Sequence, residues 1–212
     1  MDVGFDAVER EGLCDLFTDL GPDAPTLLEP WTTLDLAAHL VLREHDAVAA
    51  PGLVIPGRWG RLAERRRIEL ATRPFDALVS TIRSGPPPGV FRIGWVRQVA
   101  NLNELFVHHE DVRRANGLAS RSNPLEEDVA LFRNVEQARW LLSRRLRGVG
   151  LELAWAGTDR VVTARRGDPT ACLRGLPGEL LLFLFGRRDV ADVELTGPTQ
   201  AVDAVRRTSF GM

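Results

Sequence analysis

The sequence predicts a mainly α protein in which an antiparallel four-helix bundle is followed by a small α+β domain. Apolar residues recur at helical spacing through the first two-thirds of the chain. This spacing gives way to an alternating pattern just after Gly148. The length of 212 residues suffices for one larger and one smaller domain. We therefore predict a helical domain over residues 1–147 and an α+β domain over residues 148–212.

Breaks rich in proline and glycine divide the first part of the chain into helices with short connections, a pattern typical of an antiparallel bundle. Thr32 or Thr33 supplies an N-cap for the second helix. The segment 59–72 is mostly polar and rich in arginine, and we interpret it as part of a loop over residues 51–72. The predicted helices cover residues 4–19, 33–50, 74–83, 94–116 and 124–147.

The last third of the chain mixes strand and helix signals. Two alternating segments, 151–155 and 160–164, flank the turn residues 157–159 and predict a β-hairpin. An apolar helix is predicted to begin at Pro177. Further strands are predicted over residues 170–173 and 191–195, and a final helix over residues 198–207. This mixture predicts the α+β class for the second domain.

Composition excludes several functional classes. A net charge of −2 gives no basic face for nucleic acid, and the most apolar run, residues 180–185, is too short to span a membrane. No signal-peptide pattern opens the chain, and Cys14 and Cys172 are too few for a disulfide framework, so we expect a cytoplasmic protein. No phosphate-loop, dinucleotide-binding, serine-hydrolase or C-x-x-C pattern is present. All 27 basic residues are arginine and tyrosine is absent, which is typical of a GC-rich bacterial genome.

The most informative residues are Glu104 and His108, which lie four positions apart on the predicted helix 94–116. Both side chains therefore leave one face of that helix, one turn apart. His39 lies on the predicted helix 33–50, and facing helices of a bundle can bring such residues to one ion. Two imidazoles and one carboxylate leave coordination positions open for water or substrate, which is typical of a catalytic metal site.

Each half of this pattern also has a structural interpretation. A glutamate and a histidine at helical spacing can be a solvated pair, and His39 lies among apolar residues as a hydrogen-bonded core histidine would. His45 and His109 point away from the arcs of the candidate ligands, and we expect them to be surface or core residues.

Two aspartates lie near the candidate ligands. Asp111 falls within an arc of about 60° with Glu104 and His108, which makes it a spare polar group beside an open site. Asp35 precedes His39 by one helical turn and is a candidate to orient its imidazole.

Two segments resemble the metal-ligand motifs of the DinB-like and mycothiol-dependent maleylpyruvate isomerase proteins. They are Trp31-Thr-Thr-Leu-Asp-Leu-Ala-Ala-His39-Leu and Glu104-Leu-Phe-Val-His108-His-Glu-Asp111-Val-Arg-Arg. The stretch 176–187, followed by 193–197, is similar to the small C-terminal domain of that family. The resemblance covers nearly the whole chain. It implies a DinB-like four-helix bundle in which His39, Glu104 and His108 bind a divalent metal, typically zinc.

The resemblance also implies a function. It implies a mycothiol-dependent isomerase or S-transferase that acts on a small electrophile, and mycothiol, a low-molecular-weight thiol, belongs to actinobacteria. Arg187 matches the family's C-terminal Gly-Arg and is implied to hold an anionic substrate or the thiol. No nucleic acid or membrane partner is expected. The alternative is a non-catalytic helical module with a regulatory or interaction role, whose metal is structural or vestigial.

Overall fold

A computed structural model describes residues 4–211 of the chain. Within these residues the fold is mainly α with one small four-stranded sheet, as the sequence predicts. The chain forms two compact units, which divide between Ser120 and Arg121. Every helix in the described part is too short or too polar to cross a lipid bilayer.

The first unit is helical. Its α-helices are α1 (Phe5–Leu20), α2 (Thr33–His45), α3 (Arg58–Leu70), α4 (Phe75–Arg83), α5 (Gly94–Val96) and α6 (Leu102–Ala115). One apolar core is shared by α1, α2, α4 and α6, which contribute the almost fully buried side chains of Leu13, Leu40, Leu78 and Leu105. Burial of this apolar surface is the main force that holds the four helices together. The antiparallel four-helix bundle stays a prediction for this unit.

Both ends of α2 are set by hydrogen bonds between a side chain and the backbone of a residue two or three positions away. The backbone N–H of Thr32 donates to the carboxylate of Asp35 at 3.1 Å, which is the bond of a capping box and starts the helix where the sequence predicts. The helix ends at His45 rather than near residue 50. Asp46 explains the difference, because its Oδ1 accepts the backbone N–H groups of Val48 and Ala49 and favours a turn there.

The predicted helix 94–116 is interrupted near its start. The single turn α5 is followed by a π-helical turn, Arg97–Asn101, before α6 begins. A π-helical turn changes the rotational register of the residues before it relative to those after it, and such turns are frequent at functional sites. The residues of α6 that carry the candidate ligands keep regular helical spacing.

The interpretation of residues 51–72 as a loop was wrong in its second half, because α3 occupies Arg58–Leu70. Arginine, leucine, glutamate and alanine all favour helix, so local propensity supports this helix. The apolar stripe of α3 is short, because Ala63 is its buried apolar residue and Leu62 and Leu70 are only partly buried. Among so many charged residues, a stripe of this size is a weak periodic signal.

The second unit combines helices with one sheet. Its elements are α7 (Leu125–Leu142), β1 (Gly150–Trp155), β2 (Val161–Arg165), β3 (Thr170–Gly175), α8 (Pro177–Leu184), β4 (Val193–Thr196) and α9 (Thr199–Arg207). The strand order is β2-β1-β3-β4. The predicted hairpin is confirmed, because β1 and β2 pair antiparallel. β3 pairs parallel with β1 and antiparallel with β4. The strands predicted over residues 170–173 and 191–195 therefore correspond to β3 and β4.

The two units divide earlier than the predicted domains 1–147 and 148–212, because α7 belongs with the sheet. The guanidinium Nε of Arg139 donates to the carbonyl oxygen of Thr163 on β2 at 3.0 Å. The rings of Phe132 and Trp155 lie 5.3 Å apart and join α7 to β1. Helical periodicity predicts that α7 is a helix, but it does not say against which neighbour the helix packs.

A buried ion pair links three helices of the first unit. Arg10 of α1 donates two hydrogen bonds to the carboxylate of Glu44 of α2, at 2.7 and 2.8 Å. Arg10 also donates to the carbonyl oxygen of Ile82 of α4 at 3.0 Å. The side chains of Arg10 and Glu44 are 8% and 2% exposed, so neither charge is compensated by water.

Removing one charge of this pair should destabilise the first unit strongly. We expect Glu44→Gln to lower the free energy of unfolding by about 3–5 kcal/mol, because it leaves the guanidinium of Arg10 buried without a counter-charge. Asp15→Asn is the matched control, since Asp15 pairs with Arg83 at 2.9 Å in an exposed ion pair and should cost less than about 1 kcal/mol. Urea denaturation followed by circular dichroism measures both values. Equal losses in the two variants would contradict this prediction.

Candidate metal centre

The three residues predicted as metal ligands lie together in the first unit. His39 comes from α2, while Glu104 and His108 come from α6. One ligand atom from each residue lies within 4.8 Å of the other two. Metal–nitrogen and metal–oxygen bonds of about 2.0–2.2 Å place ligand atoms a few ångströms apart, so the cluster has the dimensions of a metal site.

The carboxylate of Glu104 lies between the two imidazoles. Its Oε1 is 3.2 Å from the Nε2 of His39 and 3.2 Å from the Nε2 of His108. Glu104 and His108 meet because they are one turn apart on α6, whereas His39 reaches them from the facing helix α2. The imidazole rings lie 5.2 Å apart in an edge-to-face arrangement. Three ligand-type atoms therefore point at one small volume.

Asp111 orients His108. Its fully buried carboxylate lies 2.9 Å from the Nδ1 of His108, on the side of the ring opposite Glu104. A hydrogen bond at Nδ1 fixes the tautomer and the orientation of the ring, and it leaves Nε2 as the atom directed at the cluster. The sequence predicted Asp111 as a spare polar group beside the site. The spacing of three residues from His108 was the signal for the closer role that the structure shows.

Asp35 does not orient His39, so that prediction was wrong. The carboxylate of Asp35 is used by the capping bond to Thr32 and by a hydrogen bond from Arg67 of α3. The Nδ1 of His39 is buried and has no hydrogen-bond partner among residues 4–211. The indole ring of Trp31 lies 5.4 Å from the imidazole of His39 and packs against it. The Nδ1 side of His39 is thus held by packing, while its Nε2 contacts the carboxylate of Glu104.

Arg43 is a neighbour of the cluster that the sequence analysis missed. Its Nε lies 3.6 Å from Oε1 of Glu104. Its two terminal nitrogens donate to the side-chain oxygen of Asn101 and to the carbonyl oxygen of Ala100, each at 3.2 Å, so the guanidinium is tied to the π-helical turn. The signal was its position one turn after His39 on α2, which places both side chains on the same face.

The pKa values follow from burial opposed by neighbouring charges. Burial raises the pKa of Glu104, but hydrogen bonds from His108 and His39 and the charge of Arg43 outweigh it and hold that pKa well below its usual value. Burial lowers the pKa of His39, which favours the neutral imidazole that a metal requires. Burial also lowers the pKa of His108, but hydrogen bonds to Asp111 and Glu104 prevail and raise it to about 9.

The cluster faces an open cleft of about 720 Å³. Residues of the first unit that line the cleft include His39, His108 and the indole of Trp31, together with Pro25, Leu27 and Leu28 of the preceding loop. A small molecule in this cleft would contact the two imidazoles directly. The cluster therefore has an access path, which a purely structural metal site does not need.

The other residues considered from the sequence lie elsewhere. The Nδ1 of His109 is 2.9 Å from the carboxylate of Glu9, so His109 joins α6 to α1 and is not part of the cluster. His45 is exposed at the end of α2. Arg187 belongs to the second unit, where it donates to the carbonyl oxygen of Phe185 at 2.6 Å. A role for Arg187 at the site stays a prediction.

The fold is similar to that of one enzyme of known structure. The structure is similar to the crystal structure of the mycothiol-dependent maleylpyruvate isomerase, with a TM-score of 0.61 over 93% of this chain and 91% of the other. The two sequences are 15% identical, so the likeness establishes the fold alone. The sequence matches no protein-family model and no curated protein.

His108 should stay protonated at neutral pH in protein treated with a chelator. Its folded-state pKa of about 9 lies above the usual 6.5, so its interactions stabilise the fold fully below pH 6.5. This contribution is lost as the pH rises through about 9. Imidazole ¹⁵N shifts recorded between pH 5.5 and 10 measure the titration.

One variant and one internal standard make that titration specific. Asp111→Asn should lower the pKa of His108, because it removes the carboxylate at Nδ1. His45 serves as the standard, since burial lowers its pKa and it should titrate below 6.5. A His108 that loses its proton below pH 7 in the parent protein would contradict the prediction.

Proposed function

We propose that this protein binds one divalent metal ion through His39, Glu104 and His108, and that it uses a low-molecular-weight thiol to transform a small electrophile. The single observation that carries the proposal is the cluster of two imidazoles and one carboxylate at an open cleft. The reaction class is an isomerisation or an S-transfer. The ion is zinc or another divalent metal that prefers imidazole and carboxylate ligands.

The side chains present fit a catalytic divalent ion. Only one ligand carries a formal negative charge, so the ion would keep net positive charge and open positions for water or thiol. The neutral form favoured for His39 and the buried carboxylate behind His108 are features that metal-binding histidines commonly have. When bound, such an ion lowers the pKa of a coordinated thiol and so supplies a thiolate near neutral pH.

The protein's own residues supply position and charge around the ion. Asp111 fixes the ring of His108, and Arg43 holds a positive charge beside Glu104. The apolar residues of the cleft offer a surface on which the uncharged parts of the reacting molecules can pack. The similar protein is named as dependent on mycothiol and as an isomerase of maleylpyruvate, and we carry the dependence on a small thiol to this chain as part of the proposal.

Arg187 is proposed to hold an anionic group of the substrate or of the thiol. The support is its match to the C-terminal Gly-Arg of the family that the chain resembles. A guanidinium recognises carboxylates with two parallel hydrogen bonds, which makes arginine suited to this task.

A non-catalytic role is the second candidate, and one observation favours it. Glu104, both imidazoles and Asp111 already form a set of short polar contacts among themselves. Such a set can stabilise a helix pair without a reaction. The protein would then be a helical module with a regulatory or interaction role, and it would show no thiol transfer even when loaded with metal.

Metal content should depend on the three proposed ligands. After incubation with zinc and dialysis, we expect about one ion per chain in the parent protein and a large loss in His108→Ala, because zinc sites need their ligands in place. Asp111→Asn should weaken zinc affinity about 10–100-fold, as is usual for the partner of a ligating histidine. His45→Ala is the matched control and should keep its metal. Elemental analysis and chelator competition give the values, and equal metal in all variants would contradict the site.

Thiol transfer should require the metal site and depend more weakly on Arg187. We expect Glu104→Ala to abolish transfer of mycothiol, glutathione or a simple thiol to a generic electrophile. Arg187→Ala should lower kcat/KM, chiefly by raising KM, and should leave the metal content unchanged. The loss should correspond to about 1.5–3 kcal/mol of transition-state stabilisation. Arg174→Ala, at an exposed position of the same unit, is the control. A metal-loaded parent protein that transfers none of these thiols would support the non-catalytic candidate instead.

A further inference from the structure

The cleft has a fixed aromatic wall formed by Trp31. The indole lies 5.4 Å from the imidazole of His39 and is one of the residues that line the cleft. A molecule that contacts the ring of Trp31 is therefore within reach of the candidate metal ligands. No step of the proposed function so far makes use of this side chain.

Trp31 is held in place from both its backbone and its ring. The hydroxyl of Thr26 donates to the carbonyl oxygen of Trp31 at 2.9 Å, and the backbone N–H of Trp31 donates to the carbonyl oxygen of Leu28 at 2.9 Å. The guanidinium of Arg67 lies over the indole ring, 4.7 Å from its centre. Arg67 does not line the cleft, so it supports the ring from outside.

Arg67 is itself fixed, which makes the support rigid. Its guanidinium donates to both carboxylate oxygens of Glu64, at 2.6 and 3.0 Å, and to the carboxylate of Asp35. A ring that is already ordered loses little conformational entropy when a ligand packs on it, so it binds flat molecules efficiently. The arrangement of Asp35, Arg67 and Trp31 prepares an aromatic surface beside the candidate metal centre.

The side chains next to Trp31 are mostly apolar. Among the described residues of the first unit that line the cleft, Glu29 carries a carboxylate and none carries a guanidinium. The remaining lining is mostly apolar, with Pro25, Leu27 and Leu28 next to Trp31. A flat apolar group can therefore pack against Trp31 and these neighbours while it stays within reach of the candidate ligands.

We propose that Trp31 is a substrate-positioning residue, on which a flat, conjugated portion of the electrophile stacks beside the candidate metal centre. This inference deepens the proposed function and rests on it for the reaction, but the binding surface can be tested without any turnover. Trp31 would select substrates by shape, and Arg67 would hold the indole ring in position.

Binding of nitrobenzene, a flat and uncharged probe, tests the inference directly. The indole N–H signal of Trp31, identified by its loss in Trp31→Phe, should shift when nitrobenzene is added to the parent protein. Trp31→Leu should weaken binding about tenfold, in line with the usual strength of an aromatic contact, and Trp31→Phe should restore most of it. Trp59→Leu is the matched control, because Trp59 also has an arginine over its ring but does not line the cleft.

A non-planar probe tests the selectivity. We expect nitrocyclohexane, which carries the nitro group on a puckered ring, to bind the parent protein about tenfold more weakly than nitrobenzene, because it cannot stack on the indole. Equal weakening in Trp31→Leu and Trp59→Leu, no shift of the Trp31 signal, or equal binding of the two probes would overturn the inference. Zinc content and thiol transfer are measured on the same samples. If zinc binding and thiol transfer are absent while nitrobenzene binds normally, the proposed function is contradicted and the role of Trp31 as a binding surface is supported.

Discussion

The first unit depends on an ionised carboxylate, that of Glu104, which is held largely out of water between two helices. A buried charge costs several kcal/mol unless neighbouring groups compensate it. Compensation comes from His108 on the same helix and from His39 and Arg43 on α2. Because α2 supplies two of the three partners, the two helices must face each other in one rotational and axial register. The same register of α2 and α6 therefore satisfies both the geometry of the candidate site and the packing of the two helices.

Charges of alternating sign continue from this carboxylate into the unit. Arg43 lies 3.8 Å from Glu44, and Glu44 forms the buried ion pair with Arg10 of α1. Arg43 is also tied to the π-helical turn that precedes α6. A rearrangement at one charge would leave the next one uncompensated, so the network favours a single arrangement of α1, α2 and α6. The side chains at the cleft are held in place by this arrangement, as the ligands of a metal site must be.

Part of the fold and of the candidate site was predictable because the signals are local. Apolar spacing predicted the main helices and the hairpin, and the four-residue spacing of Glu104 and His108 predicted that they share a face. Signals failed where the apolar stripe of a helix is short and lies among charged residues, as in α3, or where a polar side chain has several partners within reach. Asp35 is such a case, because its position suited His39 while the capping bond and Arg67 took its carboxylate.

By itself, the sequence determined the mainly α class, most element positions and the pairing of Glu104 with His108 on one helix. Only the tertiary structure decided that His39 meets them, that Asp111 holds the ring of His108, and that α7 packs on the sheet. The physical reason is that periodicity fixes which face of an element is apolar or polar, over distances of a few residues. The choice of the element that covers that face depends on contacts between residues far apart in the chain, which no local pattern records.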